Sequence, residues 1–106
     1  MRISIPFQEK FRERMLSGRK TCTSRTKRYG KVDDTFEAFG AEFELIEVNK
    51  HALWALADLD FCFFKDEGFD TPEEFKNCWI KLHPRKGFVS DQMVWVHFFR
   101  RLAEVT

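Results

Sequence analysis

The sequence predicts an α+β fold in a single domain spanning residues 1–106. Three observations carry that expectation. An amphipathic helical segment opens the chain, period-two segments follow as half-buried strands, and capped helical segments lead to a last strand that is apolar on both faces. Helices and strands do not alternate as repeated βαβ units.

The first helix is expected from Pro6, which suits a first-turn position, with Phe7, Phe11 and Met15 at i, i+4 and i+8 on one face. Gly18 is its natural stop. Residues 19–28 are polar and basic and read as a surface loop or short strand. Phe36 and Ala38, then Phe43 and Leu45, alternate with glutamates as two strands of a hairpin, turning at Gly40-Ala41. Residues 50–57 read as a helix capped by Asn49, with Leu53, Trp54 and Leu56 as its apolar positions. Residues 60–67 read as a second short helix ended by Gly68. Thr71-Pro72-Glu73-Glu74 is the strongest local signal: an N-cap, a first-turn proline and a capping-box glutamate. Phe75, Cys78, Trp79 and Leu82 then give the helix one apolar face, and Pro84 ends it. In 92–99 every side chain but Gln92 and His97 is apolar, as in a strand covered on both sides.

The composition fills a core with rings, 13 Phe and 3 Trp, each burying much area. The net charge is +1, yet it is unevenly spread. Residues 1–31 hold ten Lys or Arg against Glu9 and Glu13, whereas 32–83 hold four Lys against thirteen Asp or Glu. A basic face that meets phosphates and a merely solvated charged helix both fit this asymmetry. Cys22, Cys62 and Cys78 are odd in number and form no C-x-x-C, which argues against a disulfide framework and a cysteine zinc site. His51, His83 and His97 are scattered, so neither metal nor cofactor is expected. No apolar run is long enough to span a membrane and no signal-peptide core is visible. The expectation is a reduced, cytoplasmic monomer with no membrane partner.

At Gly18-Arg19-Lys20-Thr21-Cys22-Thr23-Ser24-Arg25 the sequence resembles the G-x-K-x-x-x-x-R signature of ASCH domains, a branch of the PUA-like superfamily. Lys31-Val32-Asp33-Asp34 is similar to the family's K-x-G-D entry to its barrel, with Asp33 where the family usually has glycine. Glu67-Gly68-Phe69 followed by a capped Glu-Glu-Phe helix resembles a second conserved block, and the closing strand is Phe-rich. The resemblance covers roughly residues 5–100. It implies a small PUA-like β-barrel with flanking helices and a cleft beside the signature loop, closed on one side by 66–69. It also implies RNA, or a modified nucleoside, as the partner.

One branch of the family hydrolyses the amide of N(4)-acetylcytidine with a Lys, a Thr and a Glu. Carried onto matching positions these are Lys20 as base, Thr23 as nucleophile and Glu67 as proton donor, with Asp66 or Glu73 as stand-ins for Glu67. Amide hydrolysis needs those three roles. Around them Arg19, Thr21, Arg25, Arg28 and Tyr29 are the expected ligand-binding residues: Arg25 through its planar fork and Tyr29 by stacking. The alternatives for each are a solvated Lys20, a turn hydroxyl at Thr23, a helix-end Glu67 and an Arg25 salt-bridged to Glu42 or Glu44. Trp54, Trp79 and Trp95 on apolar faces, and His97 in the last strand, read as core residues. Three activities are consistent with this: binding of RNA or a modified nucleoside, an amidohydrolase on an acylated base, and a metal-independent endoribonuclease using Lys20.

Overall fold

The structure is a computed structural model and describes residues 1–61 and 63–102; Cys62, inside the expected 60–67 helix, lies outside them. A 3-10 turn at Glu9–Phe11 runs into helix α1, Arg12–Leu16. Strand β1 is Cys22–Arg25, β2 Thr35–Ala38 and β3 Ala41–Ala52. Helices α2 (Leu53–Leu56), α3 (Phe63–Asp66) and α4 (Pro72–Leu82) precede the last strand, β4, Met93–Arg101. The four strands form one antiparallel sheet in the order β1-β4-β3-β2, curled into a half-barrel.

The first helix is shorter than its periodicity implied. The chain is still extended at Gln8, and Phe7 reaches the core from extended backbone, stacking on Phe36 with ring centroids 5.8 Å apart. Packing of that ring replaces the first helical turn. The β2–β3 hairpin forms as expected, but its two loop residues are Phe39 and Gly40, because Ala38 pairs with Ala41. Both take positive φ, 55° and 79°, as a type I′ turn requires. A bulge between Leu45 and Glu47 turns Ile46 outward. Asp33 also has positive φ, 79°, so it adopts the left-handed conformation that glycine supplies in the related motif. Its neighbour Asp34 is buried and accepts the Lys31 N–H at 3.0 Å.

The expected helix over 50–57 is largely strand. Asn49, Lys50, His51 and Ala52 pair with Val96, Trp95, Val94 and Met93 of β4, and only one helical turn follows. Backbone pairing with a strand more than forty residues away overrides local helix propensity. The Asn49 side chain donates to Glu47 instead of capping. Since Leu53 and Leu56 take the inward face of that single turn, Trp54 is left 48% exposed against Phe61, not in the core. Trp79 is buried; Trp95 is half-buried, with Lys50 and Arg28 over its ring. In α4, Thr71 caps the Glu74 N–H at 3.2 Å and Pro72 opens the helix, as the sequence implied. The centre of the core is a ring cluster in which Phe36 stacks on Phe43 at 5.3 Å and Phe99 stands edge-on to both. Among the described residues no helix is long and apolar enough to cross a membrane.

Candidate functional site

The signature loop leaves α1 through Gly18 (φ 84°) and enters β1, an edge strand paired only through β4 among the described residues. Just before β1, Lys20 forms an isolated antiparallel bridge with Glu67 at the end of α3. Gly68 makes that approach feasible. Its φ is 93°, and a Cβ there would meet the Lys20 Cβ at 3.1 Å and the Arg14 Cδ at 3.2 Å.

Both partners of the bridge are buried, Lys20 at 2% exposure and Glu67 at 4%. The Lys20 Nζ donates to the Cys22 carbonyl at 2.9 Å, to the Glu67 carbonyl at 3.1 Å and to Glu67 Oε2 at 3.1 Å. All three partners are acceptors only, so the three bonds require an ammonium with no lone pair left. Phe11 lies beneath it, with its ring centroid 4.6 Å away. The second carboxylate oxygen, Glu67 Oε1, accepts the hydroxyl of Ser24. A buried ion pair is tolerated only when its lone pairs and protons are satisfied in this way.

These groups form one end of a cavity of about 290 Å³. Lys20, Thr23, Ser24, Arg25, Tyr29 and Glu67 line that polar end. Phe11, Phe69, Phe75, Cys78, Trp79 and Leu82 make its apolar walls, with His83 at the end of α4. Trp79 and His83 stack at 4.2 Å, and the buried indole Nε1 of Trp79 has no acceptor among the described residues. The sequence marked Phe75, Cys78, Trp79 and Leu82 as the apolar face of a helix; the structure has that face walling the cavity. Sequence reading missed Ser24, whose only signal was its place two residues after Cys22 on the same strand face.

Of the remaining expected residues, Thr23 is buried and accepts the Arg25 Nε–H at 3.1 Å. Arg25 does not pair with Glu42 or Glu44: those carboxylates hold Arg2 and Arg100. Arg25 instead donates to the Pro6 carbonyl at 2.6 Å and lies over the rings of Phe7 and Tyr29. Burial pulls its pKa down, opposed by Tyr29 and Glu67. Tyr29 lines the cavity, with its backbone N–H on His97 Nε2 at 3.0 Å. Arg19, Thr21 and Arg28 stand away from the cavity lining. Arg19 is exposed and pairs with Asp70, Thr21 gives its N–H to the Asp66 carbonyl, and Arg28 donates to the Gly30 carbonyl. Of the stand-ins, Glu73 is exposed on α4 and Asp66 is half-buried; burial, then the Glu67 carboxylate, push the Asp66 carboxyl up. Burial also holds the Cys22 thiol well above its ordinary value, so it stays protonated. Among the described residues no three His, Cys, Asp or Glu side chains gather as a ligand set.

The fold is that of a small ASCH-type domain. The structure is similar to an ASCH domain from Lactobacillus crispatus (TM-score 0.67, 13% identity, 85% of this chain and 69% of that one). It is similar also to the hypothetical protein PH0355 (TM-score 0.68, 14% identity, 91% and 94%). A protein from Enterococcus faecalis described by the DUF984 family model matches at TM-score 0.60 and 18% identity, over 88% and 67%. At these identities the likeness establishes the ASCH fold. No protein-family model and no curated protein matches the sequence.

Proposed function

We propose that the cavity takes a single modified nucleoside, an N(4)-acylated cytidine, and hydrolyses its amide. The observation that carries this reading is a half-open pocket of about 290 Å³ lined by a buried ammonium and carboxylate and a half-buried hydroxyl. That volume sits at the low end of ligand pockets, about 300–1,000 Å³, and suits one base-sized ring better than a strand. Aromatic walls favour a flat ring. Of the ten basic residues in 1–31, Arg2, Arg12 and Arg19 are held by Glu42, Glu9 and Asp70.

In this arrangement Glu67 is the group that moves protons. Lys20, with its three hydrogens committed, balances the buried carboxylate and fixes its orientation. Phosphodiester cleavage with Lys20 as base would need a free lone pair, which an ammonium donating all three hydrogens does not have. Binding of RNA through the modified base is a second reading, favoured by the exposed Lys27, which stands over the Tyr29 ring at the cavity's edge.

The test is cytidine release from N(4)-acetylcytidine, followed by chromatography. The wild type should release cytidine, and Glu67→Gln should lower the rate by about a hundredfold or more. No release from folded wild type would sink the hydrolytic reading. Titrations over a range of salt then separate nucleoside from RNA, because phosphate contacts release counterions and weaken steeply with salt.

A further inference from the structure

We infer that Ser24, and not Thr23, is the nucleophile of this site; the inference rests on the hydrolytic reading above and names the hydroxyl that performs it. Along β1 successive side chains point to opposite faces, so Cys22 and Ser24 share one side and Thr23 and Arg25 the other. The Ser24 hydroxyl donates to Glu67 Oε1, while Oε2 of the same carboxylate is held by Lys20 at 3.1 Å. Its proton is therefore directed at a carboxylate whose position is fixed. A nucleophile with its base in hydrogen-bond reach, and that base oriented by a third group, is the arrangement that activates a hydroxyl.

Thr23 has the reverse environment. Its oxygen accepts from the Arg25 guanidinium at 3.1 Å, which occupies a lone pair needed for attack. Among the described residues no carboxylate or imidazole is recorded on its hydroxyl. Both residues line the cavity, but Thr23 is 4% exposed, whereas Ser24 is half-buried and carries a less hindered primary hydroxyl. The other nucleophiles nearby are occupied or protonated. Cys78 Sγ takes the Lys10 ammonium at 3.3 Å, and burial keeps the Cys22 thiol protonated.

The reaction balances with the groups present. Ser24 Oγ forms a bond to the acyl carbon as its proton passes to Glu67 Oε1. The tetrahedral species collapses by breaking the C–N bond, and Glu67 returns the proton to the departing amine, leaving an ester on Ser24. Water then adds to that ester, giving one proton to Glu67. The C–Oγ bond breaks and the proton goes back to Ser24. Amide and water become carboxylic acid and amine.

The probe is p-nitrophenyl acetate, an activated ester that reports the nucleophile whatever the natural acyl group. After brief incubation and acid quench, peptide mapping by mass spectrometry locates the acetyl group, with acetylated surface lysines as an internal reference. Wild type and Thr23→Val should carry it on Ser24. Ser24→Ala, checked for native circular dichroism, should carry none in that peptide and should lose N(4)-acetylcytidine hydrolysis on the order of a thousandfold. Ser24→Cys should restore acylation as a thioester. An acetyl group on Thr23, or none on β1 in folded wild type, overturns the assignment. Acylated Ser24 without cytidine release would leave Ser24 in place and remove the acylcytidine reading. Cytidine release with the acetyl on Thr23 would do the opposite.

Discussion

The carbonyl of Thr23, which can only accept, lies 3.2 Å from Nδ1 of His97, so that nitrogen carries the proton and Nε2 takes the Tyr29 backbone N–H. The ring is thus held neutral between the signature strand and the loop that presents Tyr29. Burial pulls the His97 pKa down, with Arg25 adding to the effect and the Thr23 carbonyl and Glu67 opposing it. An imidazolium would also have to give up the Tyr29 bond. The unfolded chain, titrating at about 6.5, binds this proton before the folded one does. His97 therefore contributes stability that is complete above that value and is lost as pH falls through the lower, folded value. Urea unfolding at pH 7, 6 and 5 should show His97→Gln less stable than wild type at pH 7. The gap should narrow at each acid step; a constant gap would contradict the assigned tautomer.

At the scale of elements, α4 depends on a cap made within its own first turn. Thr71→Ala should cost about 1 kcal/mol, read as a lower urea midpoint with unchanged slope. This helix was legible in the sequence because Thr71, Pro72 and the Phe75, Cys78, Trp79 stripe are local signals. The β2–β3 hairpin was legible for the same reason, apart from a one-residue shift of its turn onto Phe39 and Gly40. Residues 49–52 were not, since only the distant β4 makes them strand. The site divides along the same line. The signature marked Lys20, and the Glu67-Gly68-Phe69 block marked Glu67, but that the two meet is a contact across 47 residues. Ser24 carried no chemical signal in the sequence; only the fold brings Glu67 beside it. The positive φ of Asp33 shows the converse, a turn kept by a residue that sequence alone would not have chosen.

For the whole molecule, the ring cluster of Phe36, Phe43 and Phe99 joins β2, β3 and β4, and Phe7 leans on it from the N-terminal segment. Phe36 is fully buried, so Phe36→Ala should cost about 3–5 kcal/mol, a large share of the stability of a domain this size. Thermal unfolding followed by near-ultraviolet circular dichroism measures it. Strand order adds a temporal consequence. Since β4 lies between β1 and β3, the strand bearing Thr23 and Ser24 has no sheet partner until residues 93–101 leave the ribosome. Closing Cys22 onto Phe98 joins positions far apart in sequence, the kind of closure that slows folding most. A nascent chain can build the β2–β3 hairpin early, but it completes the candidate site only once β4 has paired.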